Sequence, residues 1–204
     1  MITFIIPSIG RETLKRTMSS LFSQSNPNWK AIIIFDGVNV QNFNDSRITY
    51  ISIPKKGSKP GENFNTDGNK NNNGNGALVR NTGLRLVDTE WVGFIDDDDT
   101  IHTEYVNHLL LNHFKYDAVV FRMKFLNGLI VPRYDSNDPT DSNFKGEFGN
   151  IGISFCFKSR FLHSPFNINF ENKGDGEDFR LITKLFSCID NFKITRDVYY
   201  NVDH

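Results

Sequence analysis

The sequence predicts an α/β protein built on a mixed, mostly parallel sheet flanked by helices, and three observations carry that prediction. Short apolar, β-branched runs of strand length recur through the first half, closed by Pro or by Asp-Gly. Segments whose apolar residues repeat at helical spacing lie between them. The two signals alternate, which is the order that builds parallel strands joined by helical crossovers.

Taken in order, "ITFII" (2–6) is a buried strand that ends at Pro7-Ser8, and Leu14, Met18, Leu21 and Phe22 place an amphipathic helix over about residues 12–23. Two further strands follow, "WKAIIIFDG" (29–37) and "RITYISIP" (47–54). Residues 55–76, "KKGSKPGENFNTDGNKNNNGNG", are dense in Gly and Asn with almost no apolar side chain, so they read as a long loop. Its Lys55, Lys56 and Lys59 are either solvated or available to phosphates. A helix is expected over 77–88, a strand over 91–95 and a helix over 103–114. Two strand-like runs around Asn-Gly in 117–134 predict a hairpin. A strand at 153–158, a helix at 177–188 and a last strand at 197–202 complete a second half that is more irregular and antiparallel than the first.

The chain has 204 residues, 38% hydrophobic and 23% charged, with 19 Phe, which suits one globular domain with a substantial core. Lys and Arg (23) balance Asp and Glu (24) to a net charge of −1, so no broad cationic surface is available and nucleic acid is not expected as a partner. Cys156 and Cys188 sit far apart among apolar residues and read as reduced thiols. No apolar run approaches the roughly 18–20 residues needed to cross a bilayer, and the first residues lack the pattern of a signal peptide. A soluble, cytoplasmic protein without transmembrane segments is the expectation; the oligomeric state is not legible.

The segment "WVGFIDDDDT" (91–100) sets four aspartates, Asp96 to Asp99, at the end of a buried strand. Ligands of open α/β sheets bind at the carboxyl ends of strands. Adjacent carboxylates repel one another, and a divalent cation such as Mn²⁺ or Mg²⁺, which takes oxygen ligands, relieves that repulsion. An extended backbone here would send Asp96 and Asp98 to one side and Asp97 and Asp99 to the other. Asp98, Asp99 and Thr100 also suit a cap for the helix expected near residue 103, which accounts for acidic residues but not for four of them.

Six stretches in order resemble the family 2 glycosyltransferases of the GT-A fold: "FIIPSIGR" (4–11), "IIIFDG" (32–37), "GALVRNTGL" (76–84), "FIDDDDTI" (94–101), "FENKGDGEDFRL" (170–181) and "VYYNVDH" (198–204). The resemblance implies an inverting glycosyltransferase of hexosyltransferase type, with residues 1–100 as the nucleotide-binding half and 101–204 as the acceptor-side half. Its partners would be a nucleoside-diphosphate sugar, UDP-linked on family grounds, and a glycan or other hydroxyl acceptor. By the same resemblance Asp36 meets the nucleobase, Pro7, Ser8 and Arg11 complete the nucleotide pocket, and Arg80 neutralises the diphosphate or the aspartate run. Asp96 and Asp97 would face the ribose or sugar, Asp98 with Asp96 the metal, and His204 the metal or phosphates, the register within the run admitting a shift by one. Asp178 would be the general base, with Glu177 second; both also suit the positive start of a helix. A metal-dependent nucleotidyl or phosphoryl transferase uses similar carboxylate clusters. An inactive nucleotide- or glycan-binding module is the non-enzymatic rival.

Overall fold

The computed structural model describes residues 1–54, 76–132, 151–163, 165, 168–170 and 177–204. Expectations for the loop at 55–75 and its three lysines, and for 133–150 and 171–176, lie outside the described residues.

The described strands join one sheet in the order β3-β2-β1-β4-β8-β6-β9-β5, with β7 paired to β6. The central strand β1 (Ile2–Ser8) pairs in parallel with β2 (Trp29–Asp36) on one side and β4 (Trp91–Phe94) on the other; β3 (Ile48–Ile53) extends β2 in parallel. This explains the uninterrupted apolar runs: strands paired on both edges and covered on both faces have no solvent side to make polar. The outer strand β3 is less deeply buried, with Thr49 and Ser52 exposed.

Helices cover both faces. Residues 4 and 5 of β1 point to opposite sides. Phe4 meets Tyr105 of α3 (Tyr105–Asn112) edge-on at 5.5 Å. Ile5 lies beneath Gly83 of α2 (Ala77–Leu84). Helix α1 (Leu14–Phe22) buries Leu14, Met18 and Leu21 of the stripe read from the sequence, while Phe22, its fourth residue, is exposed.

Past β4 the sheet turns antiparallel. The two-residue β5 (Thr100–Ile101) follows the aspartate run, and β6 (Ala118–Phe125) and β7 (Ile130–Val131) form the hairpin expected at Asn127-Gly128. Strand β8 (Phe155–Lys158) lies antiparallel between β4 and β6. After α4 (Glu177–Phe186), β9 (Phe192–Val202) runs parallel to β6 and antiparallel to β5. The sheet is therefore mixed and mostly parallel, as predicted. Two expectations change. β9 starts at Phe192 rather than 197, because Lys193 and Arg196 hide its alternation. The cap reading of the aspartates fails, because β5 intervenes and α3 begins only at Tyr105, after Glu104.

Register makes the functional edge. Ser8 of β1 is level with Phe35 of β2, Asp36 is level with Ile53 of β3, and Ile5 is level with Phe94 of β4. The carboxyl ends of these strands thus deliver Ser8, Asp36 and the run from Asp96 to one rim. Above that rim lies α2, and its approach is set by Gly83: a Cβ there would sit 2.8 Å from Ile5 Cγ2 and 2.9 Å from Ile34 Cδ1, a distance at which the helix must lift. We predict that Gly83→Ala lowers stability in urea titrations by about 1–2 kcal/mol, the strain of overpacking (about 1–3 kcal/mol) exceeding the roughly 1 kcal/mol that Ala gains in helix propensity; unchanged stability would show that α2 is not closely seated.

Candidate active site

The aspartate run does not continue as a strand. The Asp99 amide donates to the Asp96 carbonyl at 3.1 Å, closing a turn, so the expected pairing of Asp96 with Asp98 on one side is not formed: Asp96 faces Arg80, Asp97 and Asp98 share Arg11, and Asp98 and Asp99 approach His204.

Asp97 turns back to the β1 loop and is almost wholly buried. It accepts from the Ser8 hydroxyl (2.8 Å), the Ile9 amide (3.2 Å) and Arg11 Nη1 (3.2 Å). Burial raises its carboxyl above the ordinary range, against the opposing pull of those donors. Arg11 also contacts Asp98, while Arg16 donates to the Asp98 carbonyl at 2.7 Å.

Asp99 points into the protein. It accepts from the Tyr200 hydroxyl (2.9 Å) and the Asp203 amide (3.1 Å), and His204 Nδ1 lies 3.5 Å away. Burial, with the charge of Asp96 beside it, pushes this carboxyl up to about 7. Asp98, Asp99 and His204 each offer one ligand atom, all within 4.8 Å of one another.

Asp96 faces Arg80. The guanidinium donates through Nη2 to Asp96 Oδ1 at 2.6 Å and through Nη1 to Glu177 Oε1 at 2.8 Å, and it is only 7% exposed. Burial disfavours its charge, but the Asp96 and Glu177 carboxylates outweigh burial and raise its pKa. Glu177 shifts upward through burial, with Arg80 opposing. Helix α4 begins at Glu177, so the expected pair does stand at a helix start. Gly76 precedes α2 with φ +69°, and a Cβ there would lie 2.3 Å from Arg80 Nη1. Glycine therefore both makes the left-handed turn and leaves room for the guanidinium.

These groups surround a cleft of about 340 Å³. Pro7, Ser8, Arg11 and Asp36 line it from the ends of β1 and β2, Arg80 from α2, and Asp96, Asp97, Asp98, Glu177 and His204 from the remaining sides. Asp36 is buried there at the end of β2. The expected nucleotide-side residues are thus together. Asp178 is not among them: it lines an adjoining cavity of about 260 Å³ with Asp99, Met123 and Gly152. The two spaces share Arg80, Asp96, Glu177 and His204, so the Arg80 bridge forms the wall between them.

Sequence reasoning missed two residues. Tyr200, wholly buried on β9, looked like an ordinary strand aromatic. Asn81 bonds the backbone of Phe170 twice, from Nδ2 to the carbonyl and from the amide to Oδ1, each at 2.8 Å, tying α2 to the segment that precedes α4. Its place in "VRNTGL" was the available signal.

The arrangement is an open α/β sheet with an acidic rim at its strand ends and two adjoining cavities, and the fold is that of the GT-A glycosyltransferases. The family model for glycosyl transferase family 2 matches residues 3–170, and the chain belongs to that family. It is 33% identical over 112 residues to the poly(ribitol-phosphate) β-N-acetylglucosaminyltransferase TarP of Staphylococcus aureus (strain N315), covering 53% of this chain and 31% of TarP. In structure it is similar to S. aureus TarS residues 1–349 in complex with UDP (TM-score 0.77, 17% identity, 98% of this chain and 60% of that one). The complex of TarS 1–349 with UDP-GlcNAc is equally similar, with TM-score 0.77, 17% identity and coverage of 98% and 58%. The chain therefore spans about a third of TarP and no more than 60% of these TarS structures. No helix among the described residues is long and apolar enough to cross a membrane.

Removing Arg80 would leave Asp96 and Glu177 facing each other without their cation. Arg80→Met is expected to cost about 3–5 kcal/mol in denaturant unfolding at pH 7. Without Arg80 the Glu177 carboxyl rises further. The folded state then binds its proton more readily than the unfolded chain, so the deficit shrinks as pH falls through that raised value. A deficit that is small, or that grows on acidification, would contradict the bridge.

Proposed function

We propose that the chain transfers a sugar from a UDP-sugar to an acceptor hydroxyl with inversion at the anomeric carbon, using Mn²⁺ or Mg²⁺. The observation that carries this reading is the convergence of Asp36, Asp96, Asp97, Asp98 and Glu177 on one cleft at the carboxyl ends of β1, β2 and β4, with Asp99 and Asp178 in the cavity next door. The complexes of TarS with UDP and UDP-GlcNAc support the donor class.

In this reading Pro7, Ser8, Arg11 and Asp36 line the base and ribose end of the cleft, and Asp96 and Asp97 the ribose and sugar side. Asp98 and His204 would hold the cation with Asp99 as third ligand, instead of the Asp96 expected from sequence, since Asp96 is engaged by Arg80. Two carboxylates and an imidazole fit Mn²⁺ well and Mg²⁺ acceptably. When bound, the cation would supply charge stabilisation to the departing diphosphate.

The protein's own part is positional and basic. The acceptor oxygen attacks the anomeric carbon from the face opposite the diphosphate, the new C–O bond forms as the sugar–phosphate C–O bond breaks, and the hydroxyl proton passes to the Asp178 carboxylate. Asp178 Oδ1 accepts from the Phe179 amide at 2.7 Å, which fixes the carboxylate at the first turn of α4, while its other oxygen lies 3.9 Å from the Cβ that Gly152 lacks. Glu177, held by Arg80, orients that turn without taking the proton.

Thermal-shift titrations with nucleoside diphosphates test the donor side: UDP is expected to raise the melting temperature with Mn²⁺ present and to do so far less without it. Indifference to every nucleoside diphosphate would sink the reading. On the acceptor side, Asp178→Asn should keep UDP affinity within about twofold and lower turnover by about 10²–10⁴-fold. Full turnover in that variant would remove Asp178 as base.

A further inference from the structure

Strand β9 and the two residues that follow it bring three groups to the aspartate turn. The Tyr200 hydroxyl stands between its two ends: it accepts from the Asp96 amide at 3.2 Å and donates to Asp99 Oδ2 at 2.9 Å. The Asp203 amide donates to the other Asp99 oxygen at 3.1 Å, and His204 Nδ1 lies 3.5 Å from Asp99 Oδ1. Tyr200 is wholly buried, so its hydroxyl has these protein groups and not solvent to satisfy it.

We infer that Tyr200 is a positioning residue for the divalent cation, setting the Asp96–Asp99 turn so that Asp99 presents an oxygen toward Asp98 and His204. The inference rests on the metal reading above. Its physical basis is that a carboxylate with one oxygen pinned by a buried donor has its orientation chosen in advance, and groups that orient metal-binding carboxylates in this way commonly govern affinity by about 10–100-fold. Tyr200 also ties the start of the turn to its end. Without its hydroxyl the Asp96 amide loses its acceptor and Asp99 keeps only the Asp203 amide of these two donors, so its Oδ2 is no longer held. The neighbouring Tyr199 provides the contrast: it faces the other side of β9, where its hydroxyl pairs with His108 Nδ1 at 3.2 Å and its ring stacks on that histidine at 4.7 Å, away from the turn. Tyr199→Phe therefore removes the same hydroxyl from the same strand without touching the site.

Mn²⁺ binding, measured on the chain by the electron paramagnetic resonance signal of the free ion, tests this without reference to turnover. Tyr200→Phe is expected to bind Mn²⁺ at least tenfold more weakly than the unaltered chain, and Tyr199→Phe to match it. Equal affinity in Tyr200→Phe would overturn the role of Tyr200 while leaving the metal site standing. Failure of the unaltered chain to bind Mn²⁺ would overturn both. Should Tyr200→Phe not fold, Asp203→Pro, which removes the other donor to Asp99, just past the end of β9, is expected to weaken Mn²⁺ binding as well. Unchanged affinity there would show that β9 does not set the Asp99 carboxylate.

Discussion

The site depends on one buried guanidinium. Arg80 bonds Asp96, at the end of β4, and Glu177, at the start of α4, so a single side chain joins the parallel half of the sheet to the helix that carries Asp178. A flat, forked cation suits this task, since two carboxylates approach it from different directions and each receives a separate N–H. The rest of the neighbourhood makes room for it. Gly76 vacates the volume beside the guanidinium, Gly83 lets α2 sit low on Ile5 and Ile34, and Asn81 fastens α2 to Phe170. The same bridge stands between the cleft and the adjoining cavity, and in the proposed reading it would keep Asp178 off the nucleotide and beside the sugar.

The second constraint is the mutual repulsion of four consecutive carboxylates. The turn closed between Asp96 and Asp99 eases it by giving each a donor: Arg80 for Asp96, Ser8 and Arg11 for Asp97, the same Arg11 for Asp98, and Tyr200 for Asp99. A strand would have left them in two facing pairs. Burial raises Asp97 and Asp99 in particular, so these two lean on their donors most heavily, and a cation beside Asp98 and Asp99 would relieve what hydrogen bonding leaves.

Much of this was legible because buried parallel strands leave continuous apolar runs and amphipathic helices leave a stripe. β1, β2, β4 and α1 stand where those signals put them. The amino-terminal part of β9 was not, since Lys193 and Arg196 interrupt its pattern, nor was β5, which is too short to make one. Within the site, the residue types were readable and their pairings were not. Arg80 and Glu177 are 97 positions apart, and only the sheet order decides that they meet. The direction of each aspartate follows from a turn that four identical residues cannot signal. Tyr200 was hidden for a related reason: a strand tyrosine reads as core until the partner of its hydroxyl is known.

In the proposed reading the acidic turn and the strand ends beside it form one metal-assisted nucleotide site. Its most direct test is a crystal structure of the chain grown with UDP and Mn²⁺, located by the anomalous scattering of manganese. The account predicts a manganese peak within bonding distance of Asp98, with Asp99 and His204 around it, and the uracil next to Asp36. Manganese bound on the Arg80 side of Asp96, or UDP lodged outside the cleft between β1, β2 and β4, would contradict it.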